Sequence, residues 1–438
     1  MSWKTYVYSI IGAEISAITR YYNRVIHWEL RPGQGDSILK AVASPKSERV
    51  GTNEQIPDLM SERDIRTAVI LNGAFNHNHD IEGLLRGLKP RLSRTSRLIT
   101  VLYNPYISWL YLLANRLGLR KGEQPTTFVT QRDLGNLARL SGFELVSLRP
   151  AVYCPWKLLG LGSLINRLMP AVPVLRWMSL VAVGVFRPII AEKGTLPSLA
   201  IVIPARNEKG NIENALKRMP DLGTELEIIF VEGHSSDGTW EEIQRVAQKY
   251  SQQYKIKAFR QTGKGKADAV RLGFSHATAD VLTILDADLT MPPELLGRFF
   301  EAYTSGLADF VNGTRLVYPM EGEAMRFLNL LGNVFFAKAL SIVLGTRLGD
   351  SLCGTKLVAR HDYQRMIAWR KDFGDFDPFG DFELLFPAAI LSLGVIDIPI
   401  RYRARTYGTT NINRFRHGLL LFKMTGIGLF RIKLGRLT

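Results

Sequence analysis

Cysteine is nearly absent from this chain of 438 residues, which contains only Cys154 and Cys353. Two cysteines so far apart exclude a disulfide framework and a cysteine-rich zinc site, and they indicate a reducing compartment. The chain also lacks a run of about 20 uninterrupted apolar residues, the length that a membrane-spanning helix requires. The first residues, 1–20, predict a helix and not a signal peptide, because Glu14 interrupts their apolar character.

Acidic residues are missing from the end of the chain, where none follows Asp397 although basic residues are frequent. Residues 416–438 mix these basic residues with Leu, Phe and Ile, which predicts an amphipathic tail on an anionic membrane surface. The net charge of +16 also fits an anionic partner. No nucleic-acid motif accompanies the charge, so we expect no nucleic acid as partner. The predicted location is therefore cytoplasmic and peripheral, on the inner face of the membrane.

Domain organisation follows from the linker-like stretch "AEKGTLPS" at 191–198, which combines Gly, Pro and charge between two apolar strands. We expect an α/β protein with two Rossmann-like domains, at 1–195 and 196–415, followed by the tail at 416–438. A hydrophobic content of 46% is that of a globular protein.

The first domain alternates predicted strands and helices over residues 66–188. This succession resembles the C-terminal half of class I S-adenosylmethionine-dependent methyltransferases. The preceding segment offers Glu29, Gly33 and Gly35 where that family has an acid and a glycine-rich turn, but Pro32 intrudes. Most of a second βα unit is expected to be missing as well. We therefore expect a degenerate, non-catalytic domain, with an active methyltransferase as the alternative.

The second domain places two aspartates, Asp286 and Asp288, after the buried strand "DVLTIL". Ligands of open α/β sheets bind beyond the carboxyl ends of the strands. Paired carboxylates repel each other unless positive charge lies between them, and a divalent cation that bridges a diphosphate would supply it. A single Asp-x-Asp is common by chance, so solvated loop carboxylates are the alternative for this motif alone.

Four motifs in order decide between these alternatives: "IPARNE", "VEGHSSDGT", "GKGKADAVRLGF" and "LDADLTMPPE". Together they resemble family 2 glycosyltransferases of the GT-A fold, in particular the dolichyl- and polyprenyl-phosphate sugar synthases, over about 197–415. The resemblance implies an inverting transfer from a nucleoside-diphosphate sugar with Mg²⁺ or Mn²⁺ as cofactor.

The resemblance also implies roles for individual residues. The nucleoside would contact Pro204, Ala205, Glu208 and Glu232, and the donor phosphates would contact Lys264, Lys266 and Arg315. The metal would bind Asp286 and Asp288, the acceptor side would include Asp350, the base position would be Asp381, and Arg405 would close over the pyrophosphate.

Two features of the sequence favour different acceptors. The arginines at 401–414 favour a lipid phosphate, which is already an anion and needs cationic positioning. The motif "GDFE" at 380–383 favours a sugar hydroxyl, which must lose a proton as it attacks. We therefore predict transfer to a polyprenyl phosphate or another lipid-linked acceptor. Transfer to a sugar hydroxyl in surface polysaccharide synthesis is the alternative.

Overall fold

The computed structural model describes residues 2–30, 37–42, 47–51, 54–60, 65–118, 124–319, 327–373, 380–403, 405, 407 and 414–434. The chain divides into two compact units. Unit 1 comprises Met1–Ile190, Ile390–Ser392 and Leu429–Thr438, and unit 2 comprises Ala191–Ala389 and Leu393–Gly428. In the described parts, no helix is both long enough and apolar enough to cross a membrane.

Unit 1 is built around a six-stranded sheet with the order β2-β1-β3-β4-β6-β5. Its strands are β1 Arg24–Trp28, β2 Ser47–Val50, β3 Thr67–Asn72, β4 Arg97–Tyr103, β5 Phe143–Pro150 and β6 Val181–Pro188. Its helices are α1 Trp3–Thr19, α2 Ser37–Ala41, α3 Ile81–Leu88, α4 Ser108–Arg116, α5 Gln131–Leu140 and α6 Leu161–Leu168. Strands β1 to β4 pair in parallel, and β6 is antiparallel to both of its neighbours.

Both faces of this sheet are covered, because successive side chains of a strand point to opposite faces. Val25, Ile70 and Ile99 belong to one hydrophobic cluster, whereas Ile26 and Val69 belong to the other. The second βα unit was expected to be mostly missing. The structure supplies the short edge strand β2, parallel to β1, so part of that unit is present.

Unit 2 contains a seven-stranded sheet with the order β13-β11-β12-β10-β7-β8-β9. Its strands are β7 Leu199–Ala205, β8 Leu226–Glu232, β9 Lys255–Arg260, β10 Val281–Ile284, β11 Phe310–Thr314, β12 Lys356–Ala359 and β13 Val395–Pro399. Its helices are α7 Lys209–Lys217, α8 Thr239–Lys249, α9 Lys266–His276, α10 Leu296–Thr304, α11 Phe327–Leu344, α12 Arg360–Phe373, α13 Phe382–Ile390 and α14 Arg414–Gly428.

The central strands β7, β8 and β10 are nearly continuous apolar runs and are almost entirely buried, as parallel strands covered on both faces must be. Strand β12 inserts between β10 and β11 and runs antiparallel to both. The α/β fold class predicted from the sequence is confirmed by these two parallel-rich sheets.

Helix α14, the first part of the predicted tail, contacts α11 within unit 2. The ring centroids of Phe422 and Phe336 are 4.9 Å apart, and Met424 is buried. The opposite sides of these helices expose Leu331, Leu419 and part of Phe422 to solvent. The basic tail therefore begins as a packed helix with an exposed apolar side.

Candidate active site

The carboxyl ends of β7, β8 and β10 lie next to one another in the sheet of unit 2. Ala205 at the end of β7 is in register with Glu232 at the end of β8, and β10 pairs with β7 on its other side. Since the loops after parallel strands emerge at the same edge, the motifs that the sequence carries after these three strands meet there.

The loops after β7 and β8 are tied to each other by hydrogen bonds. The backbone N–H of Asn207 donates to Ser235 Oγ at 3.0 Å, and the N–H of Ser236 donates to Asn207 Oδ1 at 2.9 Å. The N–H of Glu208 donates to Thr239 Oγ1 at 3.0 Å. These bonds link the motifs "PARNE" and "GHSSDGT" into one rigid edge.

Each of the three strand ends is followed by a non-glycine residue in the left-handed region. The φ angles are 55° for Asn207, 60° for His234 and 52° for Leu289. Such conformations cost free energy and persist where surrounding contacts enforce them, which is typical of binding sites.

The predicted nucleoside-binding residues line this edge. Pro204 and Ala205 end β7, with Pro204 partly exposed. Glu232 is buried and accepts from the backbone N–H of Ser235 at 2.5 Å. Glu208 is buried and accepts from Asn211 Nδ2 at 2.7 Å. Burial raises the pKa of Glu208 and the nearby carboxylate of Asp288 adds to this, against the lowering influence of Asn211.

Asp286 forms an ion pair with Lys266, the first residue of α9. Burial by itself would raise the pKa of Asp286, but Lys266, Lys356 and Arg315 hold that pKa below its usual value. Burial would lower the pKa of Lys266, but Asp286 and then Asp381 raise it. The pair therefore remains ionised, and it belongs to a larger cluster of opposite charges.

Gly354 explains how this ion pair fits against the neighbouring backbone. A Cβ atom at position 354 would lie 2.0 Å from Lys266 Nζ and 2.3 Å from an oxygen of Asp286. A side chain at position 354 would therefore displace this ion pair, and glycine leaves the space that Lys266 and Asp286 occupy.

Asp288 is held by two different segments. Its Oδ1 accepts from the hydroxyl of Thr290 at 2.8 Å, and its Oδ2 lies 2.7 Å from Arg405 Nη2. Arg405 Nη1 is also 3.9 Å from an oxygen of Glu208. One guanidinium thus spans the second aspartate of the Asp-x-Asp motif and Glu208, a predicted nucleoside-binding residue.

Two further predicted residues pair with each other. Arg315 Nε donates to Asp350 Oδ2 at 2.7 Å and Arg315 Nη2 donates to Asp350 Oδ1 at 3.0 Å. Asp350 is fully buried. Burial favours the neutral acid, yet Arg315 holds the pKa of Asp350 below its usual value. The roles of Arg315 at a phosphate and of Asp350 toward the acceptor remain predictions.

Asp381 forms an ion pair with Lys356 on β12, which also donates to the carbonyl oxygen of Cys353. Both members of the ion pair are buried. Sequence reasoning missed Lys356 because it stands in the otherwise apolar run "KLVA". The signal that could have found it is a lysine inside a buried strand, which needs a carboxylate partner.

Of the remaining predicted residues, the structure describes some and not others. Lys264 lies between Gly263 and Gly265 with an exposed side chain. Gly408, Thr409 and Thr410 form a glycine- and threonine-containing stretch that predicts a mobile lid beside Arg405. They lie outside the described residues, as do Gly33 and Gly35.

The donor set at the end of β10 suits a divalent cation bound jointly with a diphosphate. Mg²⁺ at nucleotide sites takes one or two carboxylates and completes its shell with phosphate oxygens and water. In the described parts of the chain, no three His, Cys, Asp or Glu side chains form a metal cluster. Asp286 and Asp288 fit a site of this shared kind, and Lys266 and Arg405 pair with them.

Comparison with protein families matches residues 200–365 to the family described as "Glycosyl transferase family 2". A dolichol-phosphate mannosyltransferase of Pyrococcus furiosus is 38% identical over 122 residues, which cover 27% of this chain and 33% of that protein. A dolichyl-phosphate hexose transferase of Haloferax volcanii is 28% identical over 233 residues, or 52% of this chain and 92% of that protein. The chain thus spans only about a third of the first relative.

Among solved structures, the glucosyl-3-phosphoglycerate synthase of Mycobacterium tuberculosis in complex with Mn²⁺, UDP-glucose and glycerol 3-phosphate aligns with a TM-score of 0.35 and 15% identity. The alignment covers 54% of this chain and 80% of that one. The part of the chain that matches the family model, residues 200–365, includes the ends of β7, β8 and β10.

Proposed function

We propose that this chain transfers a sugar from a nucleoside-diphosphate sugar to a polyprenyl phosphate, with inversion at the anomeric carbon, at the surface of an anionic membrane. The observation that carries the proposal is the contact of Arg405 with Asp288. It joins the Asp-x-Asp motif, suited to a metal and a diphosphate, to the basic segment at 401–405. Two similar proteins are named dolichol-phosphate mannosyltransferase and dolichyl-phosphate hexose transferase, and these names support this class of acceptor.

In this proposal the nucleoside lies along the tied loops after β7 and β8. Glu232 and Glu208 accept hydrogen bonds from the base and the ribose, and Pro204 and Ala205 form the floor beneath them. The left-handed residues keep these loops in one shape before the donor arrives, so that less ordering is needed on binding.

The donor diphosphate lies over the end of β10. Asp286 and Asp288 would hold Mg²⁺ or Mn²⁺, which supplies neutralisation of the negative charge that grows on the leaving diphosphate. Lys264 reaches the phosphates from the exposed glycine-flanked turn, and Lys266 and Arg405 move from their carboxylate partners toward the phosphate oxygens. Cations placed in advance at this position stabilise the transition state more than the ground state.

The acceptor in this proposal is a phosphate monoester, which is already ionised near neutral pH. It attacks the anomeric carbon from the face opposite the diphosphate, and it needs positive charge more than a base. Arg401 and Arg403, both exposed in the segment that precedes Arg405, supply such charge. The ion pair between Asp381 and buried Lys356 also fits a carboxylate with a structural role.

A sugar hydroxyl is the second candidate acceptor, and one observation favours it. A Cβ atom at Gly380, which precedes Asp381, would lie 3.0 Å from the Cα atom of Ala267, which follows Lys266. This packing brings the Asp381 carboxylate close to Lys266 and to the proposed position of the donor phosphates. A carboxylate there could accept the hydroxyl proton during attack.

For unit 1 we propose a degenerate methyltransferase-like domain without catalytic activity. Glu29, which follows β1 at the position of that family's acid, lies 2.5 Å from Arg49 of β2. A carboxylate engaged by a neighbouring arginine is a poor partner for an incoming cofactor. An active S-adenosylmethionine-dependent methyltransferase is the alternative for this unit.

A donor screen tests the proposed reaction. The full chain is incubated with each common UDP- and GDP-sugar and Mg²⁺, and release of nucleoside diphosphate is measured with and without a short polyprenyl phosphate. We expect one donor to show release that rises at least tenfold with the lipid phosphate. Release of nucleoside diphosphate that is unchanged by the lipid phosphate but rises with a free sugar acceptor would instead support a sugar hydroxyl as the acceptor.

A further inference from the structure

Unit 1 carries an exposed apolar surface that neither its fold nor the proposed reaction requires. Three tryptophans on it are more than half exposed: Trp109 at 61%, Trp156 at 56% and Trp177 at 57%. A large aromatic side chain offers roughly 150–250 Å² of surface, so these three alone present about 300–400 Å². A soluble monomer rarely exposes a contiguous apolar area much larger than this unless it is a binding surface.

The apolar face, as we call it, is continuous from α4 to α6. Helix α4 contacts the turn Pro105–Ile107, which contacts the turn Val174–Met178, and the turn Met169–Ala171 links the latter to α6. The ring centroids of Tyr106 and Trp177 are 5.1 Å apart. Besides the tryptophans, the exposed apolar residues of this face are Tyr106, Leu110, Leu112, Leu113, Leu117, Leu158, Leu159, Leu161, Leu164, Leu168, Val172, Val174 and Met178.

A surface helix normally turns its apolar side toward the core, but helix α6 turns its apolar side toward solvent. Its polar residue Asn166 is buried and donates from Nδ2 to the carbonyl of Cys154 at 2.8 Å, while its Oδ1 accepts from the N–H of Tyr153 at 2.7 Å. Leu161, Leu164 and Leu168, spaced along one stripe, face solvent instead. The fold thus uses buried hydrogen bonds to hold an apolar stripe outward.

The turn that precedes α6 displays a leucine in the same way. Leu158 and Leu159 have φ angles of 45° and 55°, and Gly160 follows with 103°. Leucine adopts this region only at a cost. In this strained turn the Leu159 side chain is wholly exposed to solvent. Strained backbone of this kind points to a function for the segment.

The charge of the face identifies its occupant. Residues 105–118 and 145–178 contain no aspartate or glutamate, whereas Arg116, Lys157, Arg167 and Arg176 accompany the apolar residues. Tryptophan, tyrosine and leucine mixed with basic residues are typical of surfaces that sit in the interface of an anionic bilayer. A second copy of the chain fits less well, because a two-fold contact would bring like charges together.

We infer that this apolar face of unit 1 is a membrane-docking surface that inserts α4, α6 and their connecting turns into the headgroup region of an anionic phospholipid bilayer. Helices of eight and nine residues lie in the plane of the interface, since they are far too short to span it. The surface follows from unit 1 alone and does not depend on the proposed reaction.

Vesicle binding by the full chain tests this inference. Sedimentation is measured with vesicles of phosphatidylcholine and with vesicles that contain 30% phosphatidylglycerol, for the parent protein and for the triple variant Trp156→Ser, Leu159→Ser, Trp177→Ser. The matched control is Leu140→Ser, Leu196→Ser, Leu307→Ser, which removes exposed leucines elsewhere. We expect the face variant to bind the anionic vesicles at least tenfold more weakly and the control to bind like the parent, with unchanged thermal melting for both.

Tryptophan fluorescence locates the contact independently of affinity. Lipids brominated on their acyl chains should quench a large part of the parent's emission, and replacing Trp109, Trp156 and Trp177 with Phe should remove that quenchable part. Unchanged quenching or unchanged vesicle affinity in these variants would overturn the inference. So would a lipid-free dimer that the face variant converts to monomer, because the occupant would then be a second copy.

Discussion

At the scale of single residues, Asp288 connects the parts of the candidate site. Its carboxylate accepts a hydrogen bond from Thr290 in the same loop and forms an ion pair with Arg405, which lies more than a hundred residues later in the chain. Replacing it with Ala should lower sugar transfer at least a thousandfold, because the metal and the diphosphate lose a ligand and Arg405 loses its partner. Chelation of divalent metal should have the same effect on the parent protein.

The control for this prediction is Asp280→Ala. Asp280 is exposed just before β10, at the end opposite to Asp288, and accepts from the backbone N–H of Ser198 at 3.0 Å. Its loss should leave turnover within about twofold. Turnover by the parent in chelator that equals turnover in Mg²⁺ would show that the metal role is wrong.

Asp381 decides between the two acceptors. Asp381→Asn keeps the shape of the side chain but removes its basicity and the charge opposite Lys356. With a phosphate acceptor, kcat should fall only modestly, without a new pH dependence, whereas loss of a general base costs about 10²–10⁴ in rate. Because the change leaves the buried Lys356 without an opposite charge, thermal melting and donor KM must be measured alongside. A loss of three orders of magnitude with donor KM intact would make Asp381 the base.

The Arg315–Asp350 pair gives a prediction of pH-dependent stability. Since the pKa of Asp350 is lowered in the folded chain, its stabilising effect is complete above the unfolded value of about 3.9 and is lost as pH falls through the folded pKa. Asp350→Asn should lower the free energy of unfolding by about 3 kcal/mol at pH 7. Urea unfolding should show this difference intact at pH 5 and shrinking below pH 4, and a difference that grows at low pH would contradict the assignment.

At the scale of elements, the tied loops after β7 and β8 are the parts that would shape the proposed nucleoside pocket. Asn207 contributes both a left-handed backbone and a side-chain acceptor for Ser236. Asn207→Gly should lose only the hydrogen bond, whereas Asn207→Ala should lose it and also add backbone strain of about 1 kcal/mol. We expect donor KM to rise in both variants and more in the alanine variant, as measured by initial rates. Equal effects would place the contribution in the side chain alone.

The sequence predicts the strands and helices of unit 2 more completely than it predicts the contacts between them. The apolar strands and the loops that follow them are local features, so "IVIPA", "IIFVE" and "VLTI" were sufficient to place Glu232 and Asp286 at one edge. The partners of those residues come from distant segments. Lys356 lies in an antiparallel strand whose insertion between β10 and β11 no local pattern specifies. Arg405 could be assigned a role by resemblance, but its contact with Asp288 depends on the path of the whole unit.

At the scale of the whole molecule, the chain combines a unit that is similar to family 2 glycosyl transferases with a second α/β unit of its own fold. In unit 1, the sequence pattern and the structure agree on alternating strands and helices. The sequence did not show that the leucines of α6 are exposed to solvent. A helical stripe of leucine ordinarily predicts core, and only the structure revealed that it faces outward.

Unit 1 should not bind S-adenosylmethionine at physiological concentration. The carboxylate of Glu29 is engaged by Arg49 of β2 and is therefore a poor partner for an incoming cofactor. Titration calorimetry of the full chain should give no heat beyond dilution at about 100 µM ligand. Micromolar affinity would return the active methyltransferase to consideration.

The central claim is transfer of a sugar to a lipid phosphate at the edge of the unit 2 sheet, and the most direct measurement follows the sugar itself. The full chain is given a labelled nucleoside-diphosphate sugar, Mg²⁺ and a polyprenyl phosphate, and label is counted in the organic phase before and after mild acid. We predict acid-labile, organic-soluble label with the parent and with Asp280→Ala, and none with Asp288→Ala. Label that stays in the aqueous phase while nucleoside diphosphate is released would contradict the claim.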